Sequence, residues 1–418
     1  MTQQKQVAVI GGGVVGVCTA YFLAEAGHDV VVIERHHNVA QEASFTNAGM
    51  VAPGYTGPTA APGMPRKILS SLFRSESSVS VKLSTERALW RWARSWLDEC
   101  EVDRYRINRS RMQRIAFYSR DLLRLMRDHY QIDYEQTQGV LQLFRTQKDL
   151  ALARPAINML AEYDIPFMML DADGARTVEP SLASHTPFVA ALYLPEDETG
   201  NCPLFAKRMK YIASSMGVQF HFTSTVEALE PEAGGVGLLI NGKRFSADVV
   251  VVAAGAESAR LLKPLGIQVP IYPVKSYAAT ALIKNFDHAP RAAIIDEAYN
   301  VSLARMGGRI RLAGITEIGP RNDELQDHAL RTLVKVGSDW FPHAGSYAKS
   351  NFWSGTLPTL PDGPPLLGAT HVRNVYVNIG HGAHGWGMAA GSGKVVADLI
   401  SGQTPEIDLD GLTMARYG

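Results

Sequence analysis

The chain has 418 residues, 41 basic and 41 acidic side chains, and no formal net charge. That length exceeds one ordinary core and predicts two domains, or one large α/β unit with an insertion; a hydrophobic content of 46% excludes a disordered chain. The balanced charge gives no reason to expect a nucleic-acid partner.

Residues 6–34 read QVAVIGGGVVGVCTAYFLAEAGHDVVVIE. The apolar run breaks at Glu25 and a second follows at once, which is not the layout of a signal peptide. The pattern predicts a strand over 7–10, a tight turn, a helix over 14–26 capped by Gly27, and a second strand over 30–33. Gly11, Gly13 and Gly16 fit G-x-G-x-x-G. Gly11 permits the turn, Gly13 lets the backbone approach a pyrophosphate at the helix N-terminus, and Gly16 lets helix and strand pack closely. Glu34 can accept hydrogen bonds from ribose hydroxyls, and an acid there disfavours the 2′-phosphate of NADP. The alternative is a glycine turn with a structural role only.

Three features favour FAD over NAD. Residues 35–55 form a polar loop in which Ser44, Asn47, Ala48 and Gly49 offer hydroxyl and backbone donors. Residues 247–254 (ADVVVVAA) form a further buried strand, closed by Gly255. Residues 374–380 (NVYVNIG) predict a strand leading through His381, Gly382, Ala383, His384 and Gly385 into a helix that runs to about Ile400. The N-terminus of that helix suits the negative pyrimidine edge of a reduced flavin.

Cys18, Cys100 and Cys202 are scattered and odd in number. They predict neither a disulfide framework nor a metal pair, and they favour a reducing, cytoplasmic setting. No apolar run reaches the ~18 residues of a membrane span.

Long stretches then resemble one family, the FAD-dependent D-amino acid dehydrogenase small subunit in the D-amino acid oxidase and glycine oxidase superfamily. They are VIGGGVVGV, SFTNAGMVAPGYTGPTAAPGMP, GVLQLFRT, LPEDETGNCPLF, YPVKSY, GHGAHGWGMAAGSG and the terminal ARYG. The resemblance implies an α/β fold: a discontinuous Rossmann-like FAD-binding domain (1–55, 200–266 and 350–418) plus a substrate domain (56–199 and 267–349) with a mixed or antiparallel sheet. It implies non-covalent FAD, held by the glycine motif with Val14, Val15, Glu34 and Arg35, by the 44–49 loop, by Val226, Ala254, Gly255 and Gly355, and by residues 382–385.

Within the substrate domain, residues 55–83 are rich in Pro, Gly and Ser and predict a long loop. Residues 84–130 carry helical spacing, with Leu89, Trp92, Ala93 and Trp96 on one face and Trp90 on another; such a cluster reads as core before it reads as a cofactor box. Residues 308–312 alternate as a strand. In 66–74 (RKILSSLFR), apolar residues interleave with Arg66, Lys67 and Arg74, an interfacial pattern that fits peripheral contact with the inner face of the cell membrane. The competing reading is a loop packed over the substrate domain.

The resemblance implies oxidation of a C–N bond, hydride passing to flavin N5 to leave an imine, with electrons handed to a quinone or another carrier. The protein then mainly orients a small-molecule amine and excludes water. Tyr299 stands where relatives place a hydroxyl on the substrate carboxylate, or is a half-buried sheet tyrosine. Relatives read W-x-G-x-R-P-x-x-P-D-G where residues 353–363 here read WSGTLPTLPDG, so Leu357 replaces the carboxylate-binding arginine. Either another cation, such as Arg305 or Lys275, takes that role, or the substrate is an amino acid derivative or amine without a free α-carboxylate; the second is preferred. His384 either contacts substrate or is a satisfied loop histidine, and His381 is structural beside the flavin. No role follows for Tyr277, and no metal cluster is expected. Rival functions are a D-amino acid dehydrogenase on free D-amino acids, an oxygen-using oxidase, a flavin module without turnover, and a nicotinamide enzyme.

Overall fold

The computed structural model describes residues 4–71, 78–82 and 84–417. Strand β1 (Gln6–Ile10), helix α1 (Val14–Glu25) and strand β2 (Asp29–Ile33) form at the N-terminus, each strand exposed only at its first residue. Continuous apolar strands of this kind require cover on both faces. They belong to a six-stranded sheet ordered Leu366–Ala369, Val375–Ile379, Val249–Val252, β1, β2 and Gln219–His221. All pairs are parallel except the outer Leu366–Ala369 pair. On one face α1, the helix Cys202–Ser215 and the helix Gly385–Ile400 bury Val17, Phe205 and Val396. On the other, a small antiparallel sheet of Val226–Pro231, Val236–Ile240 and Lys243–Ala247 contributes Leu229 and Leu238. The sheet is assembled from widely separated stretches of chain.

A second sheet of ten strands is mixed, and the helix Asp327–Trp340 covers one of its faces through Leu333, Val336 and Trp340. Its strand Arg309–Ile318 covers all but the first residue of the expected strand at 308–312 and extends well beyond it. The strand Asn351–Thr359 pairs antiparallel with Tyr272–Leu282, so it lies in this second sheet. The boundary expected at residue 350 therefore groups a strand of the second sheet with strands of the first.

Three more helices shape the site: α2 (Met64–Ser71), α3 (Arg87–Asp98) and α4 (Val102–Tyr130). The segment 55–83, expected as a loop, thus contains α2 and a strand, Val79–Val81, that pairs with residues 316–318. Hydrophobic periodicity within 64–71 overrides the surrounding Pro and Gly. In that segment Ile68 packs on the α3 cluster and Leu69 is 62% exposed. Leu72, Phe73 and Arg74 lie outside the described residues. Leu89, Trp92 and Trp96 are buried as expected, and Trp90 is exposed. Helix Gly385–Ile400 is wedged between α1 and α4. A Cβ on Gly391 would stand 3.0 Å from Ile115 O, and one on Gly393 would stand 2.9 Å from the Cys18 carbonyl carbon. Close helix packing accounts for the GSG of the C-terminal motif.

Candidate active site

One continuous cavity runs from the N-terminus of α1, past the start of helix Gly385–Ile400, to α2, α3 and α4. At its first end Gly11 adopts φ +111°, and a Cβ there would lie 2.5 Å from Ala253 O. A Cβ on Gly16 would lie 1.9 Å from Gly11 O, so Gly16 serves packing and stands outside the cavity. Gly13 differs: its Cβ would meet only Ser44 Oγ, at 3.5 Å, and Gly13 lines the cavity. The absence of protein over Gly13 leaves room for a ligand against the backbone. Val14 N–H donates to Ser44 Oγ at 3.1 Å, and the first turn of α1 holds no acid. That end therefore suits an anion.

Glu34 is 8% exposed, and its two oxygens accept from Gly12 N–H (2.6 Å) and His36 N–H (2.7 Å). The backbone thus fixes the carboxylate at the end of β2. Arg35 donates to Glu42 at 2.6 Å, and both line the cavity. Val15, Asn47, Ala48, Val226, Ala254 and Gly255 line it too. Gly49 and Gly355 do not. Gly49 packs against Gly200 O and donates to Asn47 Oδ1 (2.6 Å), while Gly355 makes room for Thr46. Both glycines shape the loop that faces the cavity.

In the middle, the 3₁₀ turn Gly382–His384 opens directly into helix Gly385–Ile400, with no capping side chain and no acid in the first turn. Gly382, Ala383, His384 and Gly385 all line the cavity there. His381 is buried, shares a 3.1 Å hydrogen bond with Ser392, and burial pushes its imidazole down to about 3. No cysteine lines the cavity. Burial pushes the Cys18 and Cys100 thiols up to about 12, and Cys202 well above its usual range, so none is an activated thiolate.

The far end is bounded by Tyr55, Arg109, Gln142, Glu297, Leu357 and His384. The Tyr55 and His384 rings lie 6.2 Å apart. Burial pushes the Tyr55 phenol up, and the charge of Glu297 adds to it. Burial, then the nearby Arg109 charge, pushes His384 down to about 4, against a hydrogen bond to the Gly57 backbone that opposes the shift. His384 is thus a neutral imidazole at neutral pH. Leu357 faces the cavity from the strand position paired with Val274.

Tyr299 is not a cavity residue. Its ring packs under the Arg145 guanidinium at 4.9 Å, with Lys335 at 5.9 Å, while Asn300 and Ser302 of the same hairpin line the cavity. The turn before strand Val301–Met306 offers Asn300, not Tyr299, to the interior. The two cations considered as substitutes for the missing arginine are also outside. Arg305 lies over Phe286 at 5.1 Å, and Lys275 donates to Asn322 at 2.9 Å. The Tyr277 hydroxyl donates to Glu317 at 2.7 Å, a structural role. Sequence reasoning missed Tyr55, Arg109 and Glu297. Arg109 had a signal: it falls on the buried stripe of α4 with Tyr105, Met112 and Ala116, where a charge is out of place.

Comparison with known proteins agrees with this layout. The model of a family described as FAD dependent oxidoreductase matches residues 6–399. A D-amino acid dehydrogenase of Rhodopseudomonas palustris (strain HaA2) is 42% identical over 415 residues, covering 99% of this chain and 98% of the relative. One of Bradyrhizobium diazoefficiens is 42% identical over 415 residues, covering 99% of each. Among solved structures, glycine oxidase from Geobacillus kaustophilus shares the fold with a TM-score of 0.78 at 22% identity, covering 99% of both chains. L-proline dehydrogenase from P. horikoshii does so with a TM-score of 0.74 at 18% identity, covering 100% of this chain and 98% of that one.

Proposed function

This chain belongs to the FAD dependent oxidoreductase family, and on that premise we propose that it is a dehydrogenase of free D-amino acids that passes electrons to a quinone or similar carrier. The observation that carries the reading is the single cavity joining a dinucleotide cradle at Gly13 to a buried, cationic far end at Arg109. Support also comes from the full-length relatives named D-amino acid dehydrogenase.

Gly11, Gly13 and Ser44 would hold the FAD pyrophosphate, Glu34 the ribose, and the start of helix Gly385–Ile400 the pyrimidine edge. When bound, FAD supplies the two-electron oxidant for the substrate C–H bond. The residues around it orient and exclude water. His384 and Tyr55, both uncharged, leave the amine nitrogen free to assist with its lone pair. Trp92 and Trp96 close the wall; their indole N–H groups donate to Thr359 O (3.0 Å) and Thr59 Oγ1 (3.2 Å). The substrate is left as an imine, which water converts to a 2-oxo acid and ammonia.

A second reading is oxidation of an amine or amino acid derivative without a free α-carboxylate, favoured by Leu357 in the cavity wall. The deciding experiment is anaerobic bleaching of the purified yellow protein by D- and L-amino acids, their amides and the matching amines. Bleaching by D-amino acids supports the proposal, and bleaching by amides or amines alone supports the second reading. Recovery that is faster with a quinone analogue than with air separates a dehydrogenase from an oxidase. Peripheral contact with the membrane through α2 belongs to the same proposal, because Arg66 and Leu69 are exposed side by side on that helix. Co-sedimentation with anionic vesicles that survives Leu69→Asp would remove α2 from that role. Among the described residues no helix is long and apolar enough to cross a membrane.

A further inference from the structure

We propose that Arg109 is the residue that receives the substrate α-carboxylate, taking the part that Leu357 cannot play. The inference rests on the amino acid reading above. Arg109 is 5% exposed and lines the far end of the cavity. A guanidinium offers five N–H donors. Here Nη1 donates to the Tyr105 hydroxyl (3.0 Å) and Nη2 to Gly54 O (2.8 Å), and Nε is buried with no partner. Among the described residues no carboxylate forms an ion pair with it.

That isolation is unusual in this protein. On the same helix Arg120 pairs with Asp121 and Glu196, and Arg127 pairs with Glu198. Elsewhere Arg145 pairs with Asp296 and Asp339, and Arg416 pairs with Asp362. Arg311 is also buried without an acid, but it lies outside the cavity and donates to Phe45 O at 2.7 Å. Burying a charge without a partner is costly, so buried charges are normally paired. Arg109 borders open space, and the missing counter-charge is one that a ligand can bring.

The surroundings agree. Gly54, whose carbonyl accepts from Arg109, donates its N–H to Asp197 Oδ1 at 3.1 Å, and Tyr55 N–H donates to Asp197 Oδ2 at 3.1 Å. Asp197 is outside the cavity, so it steadies the loop without occupying the space before the guanidinium. At this end of the cavity the lining acid is Glu297; it accepts from Gln142 (2.7 Å) and lies 3.8 Å from the Lys67 ammonium. With the carboxylate on Arg109, Leu357, Trp92 and Leu152 are left among the apolar lining of the cavity for the substrate side chain. The substrate class is then a free amino acid with an apolar side chain.

The test uses holoenzyme with Arg109→Met and Arg109→Lys. For an apolar D-amino acid, Arg109→Met should lower kcat/KM by about a hundredfold or more. For the amide of the same amino acid the change should stay within about threefold. The lysine variant should fall between. The flavin absorbance change on titration with a small aliphatic carboxylate should be lost in Arg109→Met and weakened in Arg109→Lys. Equal losses on acid and amide, or a shifted flavin potential with the acid-to-amide ratio intact, would overturn the proposal and assign Arg109 to the cofactor. If Arg109→Met fails to hold flavin, the acid-to-amide ratio of Arg109→Lys decides. If no amino acid bleaches the parent protein, the amino acid reading fails; the carboxylate titration then still reports whether Arg109 binds a carboxylate.

Discussion

The Arg416 guanidinium stands 2.7 Å from the Asp362 carboxylate, with both side chains under a tenth exposed, and the Tyr417 hydroxyl donates to the same carboxylate at 2.5 Å. This contact fastens the C-terminal turn Met414–Tyr417 onto the Pro-Asp-Gly turn that follows strand Asn351–Thr359. Two sequence motifs with no assigned role, PDG and ARYG, are thus the two halves of one lock. Removing one partner of such a pair leaves the other charge buried, at a cost of about 3–5 kcal/mol. Arg416→Met and Asp362→Asn should each lower the Tm by several degrees. The double variant should lose less than the two single losses added. Additive losses in thermal melts would show that the two residues act separately.

The glycines of the first turn should separate by role. Gly16→Ala places a methyl 1.9 Å from Gly11 O and should prevent folding or lower the Tm sharply. Gly13→Ala meets only Ser44 Oγ at 3.5 Å, so the fold should persist while the methyl intrudes on the bound pyrophosphate. The expected result for Gly13→Ala is near-native circular dichroism with flavin content reduced at least about tenfold. Equal flavin loading of Gly13→Ala and the parent would contradict the cradle.

Glu34→Ala removes the acceptor for Gly12 N–H and His36 N–H and, in the proposed complex, for the ribose. Charged acceptors of this kind contribute about 1.5–3 kcal/mol. Titration of the flavin-free variant with FAD should give a Kd raised by about tenfold to a hundredfold.

Both loop histidines are held neutral, and the consequences differ. His384, pushed down to about 4, should contribute no ionisation to turnover above pH 5. His384→Asn should therefore keep the parent's apparent pKa values between about pH 6 and 9, whatever its rate. His381 bears on stability. Its folded value of about 3 lies below the unfolded 6.5, so the unfolded chain binds the extra proton and stability falls as pH drops below about 6.5. At pH 5 the loss from this group is about 2 kcal/mol. His381→Gln should flatten that part of the pH–stability curve in denaturant titrations; an unchanged slope would count against a neutral buried imidazole.

The parts of this site that sequence made legible are those built by local rules. β1, Gly11, Gly13, Gly16 and Glu34 follow one another within a single βαβ unit, where spacing alone dictates geometry. The loop 381–385 was equally readable, since a strand, a glycine turn and a helix follow without a break. The far end was not. Tyr299 and Asn300 are neighbours, and only the local turn decides which one faces the cavity. Arg109 is 55 residues from Gly54 in the chain, and nothing short of the packing of α4 brings them together. The strand Asn351–Thr359 directly precedes strands of the six-stranded sheet, yet hydrogen bonds to Tyr272–Leu282 place it in the other sheet. Pairing partners so far apart leave no periodic trace.

Thr359, the last residue of that strand, forms an isolated bridge with His381, at the threshold of helix Gly385–Ile400. The ten-stranded sheet is thereby stitched to the loop before helix Gly385–Ile400 at the point where both meet the cavity. A wide hinge between the two sheets would tear this stitch and expose the buried His381. Met64, Lys67 and Ile68 of α2 also line the cavity, so this helix is part of its wall. If exchange with solvent passes α2, a crosslink that staples this helix to strand Val79–Val81 should slow substrate entry and product exit without touching the chemistry.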